Sequence, residues 1–261
     1  MMRIAFYSFC FALVFFLNTT VSYAQRDPGQ FTIQYGFNAS DHPRHTDAGF
    51  SKQKAPVNFR LKVHPRLTIG VDNETYATTI FNNERIRGVG STVLFFRPQL
   101  IEEDITTLKP QVNLTYTITL PSTNASKGIG SSRADHKFLG NIYKFINPGD
   151  ARRTKLGTDV GVFFAGRKGK SGFTRTGLLN LYFEQELDND RKYTLHVEVD
   201  SLTRTETKPS QIFSTNYLTR VINKYVSFNV GMNVGITPNS PRIGGFASVR
   251  FTGRLWKVSK E

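Results

Sequence analysis

Apolar and polar residues alternate with a period of two along nearly the whole chain beyond its first few dozen residues, the repeat of strands with two unlike faces. Val57, Phe59, Leu61 and Val63 interleave with Asn58, Arg60, Lys62 and His64, and Leu67, Ile69 and Val71 with Thr68, Gly70 and Asp72. Val112, Leu114, Tyr116, Ile118 and Leu120 alternate with Gln111, Asn113, Thr115, Thr117 and Thr119. Tyr193, Leu195, Val197 and Val199 oppose Thr194, His196, Glu198 and Asp200, and Val226 to Val234 repeats the pattern against Ser227, Asn229, Gly231 and Asn233. In the last segment Ile243, Ala247, Val249 and Phe251 oppose Phe246, Ser248, Arg250 and Thr252. Less regular strands are expected near 31–37, 88–97, 134–145, 156–166, 174–186 and 210–220, about twelve in all. No segment sustains a helical period, so no long helix is expected.

Soluble sandwiches alternate too, so three further features carry the choice of architecture. Arg60, Lys62, Glu198 and Arg250 sit near strand middles on the polar faces, where a dry core would not hold unpaired charge but a wet lumen would. The strands have the length needed to cross a bilayer at a tilt. The connections also alternate in length over parts of the chain. His64-Pro65-Arg66, Asp188-Asn189-Asp190 and Val221 to Lys224 are tight, whereas 38–55, 75–87, 121–133 and 202–209 are long and rich in Ser, Thr, Asn and Lys. Stretches 98–109 and 146–155 are exceptions on the short side, and 167–173 and 236–241 on the long side. Short turns at one end and longer loops at the other are the asymmetry of outer-membrane barrels. The fold class expected is all-β: an antiparallel up-and-down transmembrane β-barrel of about twelve strands. Aromatics near strand ends (Tyr35, Phe37, Tyr143, Phe145, Tyr193, Tyr225, Phe251 and Trp256) suit interfacial girdles.

The N-terminus sets the compartment. Arg3 precedes an apolar run from Ile4 to Leu17, and Ser22-Tyr23-Ala24 places small residues at a cleavage site before Gln25. Residues 1–24 are therefore expected to be a signal peptide and 25–261 the barrel domain. Cys10, the one cysteine, would leave with the signal, so no disulfide framework or cysteine metal site is expected. The chain has 261 residues, with 34 Lys+Arg against 20 Asp+Glu and a formal charge of +14, which loss of Arg3 lowers by one. With 39% hydrophobic residues and no further run of about 20 apolar residues, a polytopic helical membrane protein is excluded. Export points the basic excess away from nucleic acid and toward anionic lipid, lipopolysaccharide or an anionic solute.

Gly169-Lys170-Ser171 looks like the tail of a phosphate loop, but Phe164 stands where the first glycine is required and a strand follows. Asn38, Asn73, Asn113 and Asn124 each begin an Asn-x-Ser/Thr triplet, a short pattern that implies no glycosylation here. His42 and His45 lie near Asp41 and Asp47 in an expected loop, a weak metal-ligand pattern. His196 beside Glu198 and Asp200 could orient an imidazole as in a barrel hydrolase, but no serine can be paired with it. No enzyme activity, metal or cofactor is expected. Arg60, Lys62, Arg97, Arg175, Arg250 and Arg254 would give the lumen a positive bias, offset partly by Asp72, Glu184 and Glu198. The pore-lining or solute-binding candidates are Arg60, Lys62, Asp72, His196, Glu198, Arg250 and Arg254.

Several stretches resemble the outer-membrane transporter family associated with meta-pathway phenol degradation. They are Gly88-Val89-Gly90-Ser91 opening a strand that ends Phe96-Arg97-Pro98, and a strand ending Thr119-Leu120-Pro121-Ser122. The Gly-rich Gly128-Ile129-Gly130 before Asp135, and Pro238-Asn239-Ser240-Pro241 before Arg242 to Phe251, complete the set. The similarity spans about residues 31–253. It implies a barrel that moves small, often aromatic, compounds across the outer membrane, and it brings no catalytic residues. Family members more usually carry an acidic residue where this chain has Ser91, and the chain runs on from Thr252 to Glu261 where many such barrels end on an aromatic.

The function expected is a Gram-negative outer-membrane channel, porin-like, passing small solutes by passive diffusion. The positive lumen points to anionic solutes and the resemblance to aromatic ones. The expected partners are the solute, the bilayer and its lipopolysaccharide, and the outer-membrane assembly machinery, with no nucleic acid. The competing readings are a non-conducting structural or adhesion barrel and a secreted soluble β-protein that binds ligand.

Overall fold

The computed structural model describes residues 28–42, 50–81, 84–122, 132–166, 172–203, 210–240 and 242–256. The segment expected to be a signal peptide lies outside them. All regular structure described is strand: Gln30–His42 (β1), Phe50–His64 (β2), Leu67–Phe81 (β3), Glu84–Gly88 (β4), Thr92–Ile101 (β5), Gln111–Thr119 (β6), Asp135–Phe145 (β7), Thr154–Gly166 (β8), Phe173–Glu186 (β9), Tyr193–Leu202 (β10), Gln211–Asn223 (β11), Val226–Gly235 (β12) and Ile243–Arg254 (β13).

Apart from β4 and β5, each strand pairs antiparallel with its sequence neighbours, and β1 pairs with β13 from Gln30↔Arg254 to Asp41↔Ile243, so the sheet closes on itself. Strands β4 and β5 occupy successive lengths of one partner. Ala77 to Phe81 of β3 pairs with β4, and Leu67 to Asn73 pairs with β5. The thirteen segments therefore form a twelve-stranded up-and-down barrel. The break between β4 and β5 is bridged by backbone: Gly90 N donates to Glu74 O at 2.8 Å, and Glu74 N to Ser91 O at 3.2 Å. A Cβ on Gly90 would run into the Glu74 side chain, which accounts for the glycine in Gly88-Val89-Gly90-Ser91.

The stretches 38–55 and 75–87, expected as long loops, are mostly strand. Asn38 to His42 continues β1 opposite Phe50 to Lys54 of β2, and β3 runs on to Phe81 opposite β4. The polar composition misled because strands that rise beyond the apolar belt have no reason to alternate, while their backbone still gains from pairing. The connections at the end where β1 starts and β13 finishes are short or internally braced. Asp104 accepts hydrogen bonds from Thr106 N at 2.9 Å and Thr106 Oγ1 at 2.6 Å, and these bonds hold its carboxyl below the ordinary aspartate range. Glu103 accepts from Phe145 N at 2.8 Å, and Arg153 forks onto Glu186 at 2.7 Å. The two longer turns on this side, 102–110 and 146–153, are thus braced internally and tied to the adjoining strand ends.

Burial inverts the usual order. Among the described residues the buried hydrophobic side chains are Ala55, Leu67, Ala77 and Phe95 alone, whereas Gln99, Gln111, Asn113, Thr115, Thr117, Asn141, His196, Asn229 and Ser248 are all buried. Large apolar groups face outward instead: Tyr35 is 54% exposed, Val160 52%, Leu181 55% and Met232 50%. An apolar surface that encircles a barrel far exceeds the patches tolerated by a water-soluble monomer. Interior packing is nonetheless close in places. A Cβ on Gly161 would sit 1.9 Å from Phe138 O and 2.9 Å from the Leu139 backbone. Gly161→Val is expected to destabilise the folded barrel by about 1–3 kcal/mol, seen as a lower urea midpoint for loss of the heat-modifiable fast band on gels. An unchanged midpoint would show that the β7–β8 spacing is not this tight.

Candidate functional site

The polar face of every strand turns inward on closure, and the registers bring its residues together in a belt of side chains around the interior. On one wall Asp72 (β3) takes both guanidinium nitrogens of Arg60 (β2), with the Nη2–Oδ2 bond at 2.7 Å. Arg60 and Arg97 (β5) both stack on the Phe95 ring, at 4.1 and 4.8 Å from its centroid. Arg97 Nε donates to Thr115 Oγ1 on β6 at 2.9 Å, and Thr115 donates to Asn141 on β7. Asn141 in turn is the register partner of Asp159 on β8. Charges reach one another over several strands of this wall: Lys137 on β7 lies within electrostatic reach of Asp159, Asp72, Arg97 and Arg60.

On the other wall His196 (β10) is the hub. Its Nδ1 meets Glu184 Oε1 (β9) at 3.1 Å and its Nε2 meets Glu198 Oε2 at 2.9 Å. An imidazole bonded to two carboxylates through both nitrogens makes both bonds only as the doubly protonated cation. Glu184 is also paired with Lys155 of β8, and Glu198 accepts from Asn180 of β9. The Tyr217 ring of β11 stacks on the imidazole at 4.2 Å and 21°, with Tyr182 on its other neighbour strand at 5.8 Å. The belt continues through Thr219–Asn229 (2.7 Å), Asn229–Ser248 (3.1 Å) and Gln34–Ser248 (2.8 Å), which returns it to β1.

Of the residues singled out from the sequence, Arg60 joins Asp72, and His196 joins Glu198. Arg60 and Arg250 share the wall of a cavity with Thr32, Gln34 and Asn58. Lys62 and Arg254 lie on the same polar face, nearer the end where β1 starts and β13 finishes. Arg175, grouped with the interior cations above, faces outward: it is register partner to Phe164 and lies 5.7 Å over that ring. Tyr143, expected in a girdle, is register partner to Gln111 and Gly157 on the interior face, with Lys155 over its ring. Both misplacements fall in the less regular strands, where a slip of one residue changes the face. Lys137, Lys155 and Asp159 were missed for the same reason. The alternation of Lys137 and Asn141 with Phe138 and Ile142 was their available signal. The loop holding His45 and Asp47, the side chains of Asp41 and His42, and Gly169-Lys170-Ser171 lie outside the described residues.

No family model and no curated protein matches the chain. Among solved structures it is similar to an outer membrane channel from Pseudomonas putida F1, with a TM-score of 0.64 at 11% identity over 91% of this chain and 100% of that one. It is also similar to the translocator domain of the autotransporter NalP from Neisseria meningitidis, with a TM-score of 0.50 at 13% identity and 92% of each chain covered. The likeness is one of fold.

The His196 hub tests the energetics of the belt. His196→Ala would leave Glu184 and Glu198 facing each other without the cation between them. Because these carboxylates are 26% and 20% exposed, the expected loss is about 2 kcal/mol, below the range for fully buried pairs. It is read as a lower urea midpoint, and an unaltered midpoint would mean that the cluster does not hold β9, β10 and β11 together.

Proposed function

We propose that this protein is an outer-membrane channel that passes small polar solutes by passive diffusion. The observation that carries this reading is the inverted sorting of side chains, with amide, hydroxyl and charged groups inside the closed barrel and large apolar groups outside. Strands of nine residues or more, except the β4 segment, supply the length for a tilted crossing of the hydrocarbon layer. Similarity of fold to an outer membrane channel supports the same location. In this reading residues 1–24 direct export, the assembly machinery inserts the barrel, and the end with the termini and braced turns faces the periplasm. The opposite end then meets lipopolysaccharide.

Arg60, Lys62, Asp72, His196, Glu198, Arg250 and Arg254 are the residues proposed to line the path. Most charges in the belt are matched, so selectivity rests on the few that are not. Arg60 is held by Asp72, while Arg250 has only long contacts to Gln34 Oε1 at 3.3 and 3.4 Å among the described residues. The resemblance to the meta-pathway family adds small aromatic compounds as a solute class. The electrostatic reach of Arg97 on β5 to Tyr182 on β9, four strand positions away, favours a second reading, a barrel too constricted to conduct.

Planar-bilayer recording separates the two readings. The refolded mature protein, verified by heat-modifiable mobility, is expected to give discrete conductance steps with a preference for chloride over potassium. Arg250→Ala should shift the reversal potential in a salt gradient toward the non-selective value, and more than Arg60→Ala does. Folded protein that inserts without conductance would establish the structural reading.

A further inference from the structure

The interior wall formed by β1, β2 and β13 holds a cavity of about 240 Å³ lined by Thr32, Gln34, Asn58, Arg60 and Arg250. Its chemistry differs from the rest of the belt. Lys155 meets the Glu184 carboxylate on the other wall; Arg60 itself has its fork occupied by Asp72, and its remaining face lies on Phe95. Arg250 is exposed to the interior, and its only hydrogen-bond partner among the described residues is the amide oxygen of Gln34, reached at 3.3 and 3.4 Å by Nη2 and Nε. A guanidinium carries five donors in a planar fork matched to a carboxylate, so most of that capacity is unspent. Beside it the side-chain amide of Asn58 and the hydroxyl of Thr32 make no hydrogen bond to any other described residue.

We infer that this cavity binds a short-chain hydroxycarboxylate, with the carboxylate on Arg250 and the hydroxyls on Asn58, Thr32 and Gln34. A single unmatched cation suits a monoanion. A lining of five polar residues suits a solute with hydroxyls rather than a hydrocarbon tail, because an alkyl chain would leave the Asn58 amide and the Thr32 hydroxyl without partners. The cavity has room for a small acid of a few carbons. The cavity lies on the path proposed above and so would concentrate such acids within the channel; the inference rests on that reading for its role but not for binding.

Binding is measured on the mature chain folded in detergent, by ligand-observed NMR titration with glycerate, butyrate and glycerol as probes. Glycerate is expected to bind saturably, butyrate more weakly and glycerol not at all. Arg250→Ala and the larger Arg250→Gln, each checked for native gel mobility, should weaken glycerate binding about tenfold or more, the loss of one charge-assisted contact. Asn58→Ala should narrow the gap between glycerate and butyrate. Equal glycerate binding by wild type and both Arg250 variants, or none by wild type, overturns the assignment, as does butyrate binding as tightly as glycerate. Because the readout needs no current, a barrel that binds glycerate but does not conduct would refute the channel and leave the site standing.

Discussion

The pairing of β1 with β13 is the contact on which everything else in this molecule depends. A sheet with twelve strand positions surrounded by apolar side chains has no water to satisfy an open edge, and each unpaired backbone group in hydrocarbon costs several kcal/mol. The match of Gln30 to Asp41 against Arg254 to Ile243 removes that edge along almost the full length of both strands. The break between β4 and β5 is tolerated on the same terms, since Glu74 supplies both its N–H and its C=O to the residues that span it.

Closure also decides where charge can live. Once the apolar faces turn outward, long polar residues from twelve strand positions converge on a narrow interior, and they meet as a belt of hydrogen bonds and ion pairs rather than as a set of independent charges. Arg60–Asp72, Lys155–Glu184 and the Glu184–His196–Glu198 hub show the consequence. The lumen is only partly the basic tube that the excess of Lys and Arg suggested. Its character comes from the exceptions, above all Arg250, where an unmatched guanidinium and the Asn58 amide share one cavity. A belt that ties neighbouring strands together stiffens the wall, so a solute would sample fixed dipoles and a few free donors.

The strongly alternating segments were legible down to the side chain. Phe59 against Arg60, Val197 against Glu198 and Val249 against Arg250 all take the faces that their period of two assigned to them. Legibility failed in two places. Above the apolar belt, 75–87 and much of 38–55 form paired strand although their composition reads as loop, because the pairing there is stabilised by backbone and not by alternation. In β7 to β9, glycines and mixed faces blurred the period, so Arg175 and Tyr143 were assigned to the wrong side and Lys137, Lys155 and Asp159 went unnoticed.

The amino-acid sequence by itself determined the fold class, the approximate strand count and the face of most strong-period residues, since those follow from chain geometry and from the cost of exposing or burying each side-chain type. Partnership across the barrel was a matter for the tertiary structure alone. Arg60 and Asp72 are twelve residues apart, Gln34 and Arg250 more than two hundred. No local pattern encodes which charge meets which. Closure and register decide it, and with it which charges cancel and which remain unmatched.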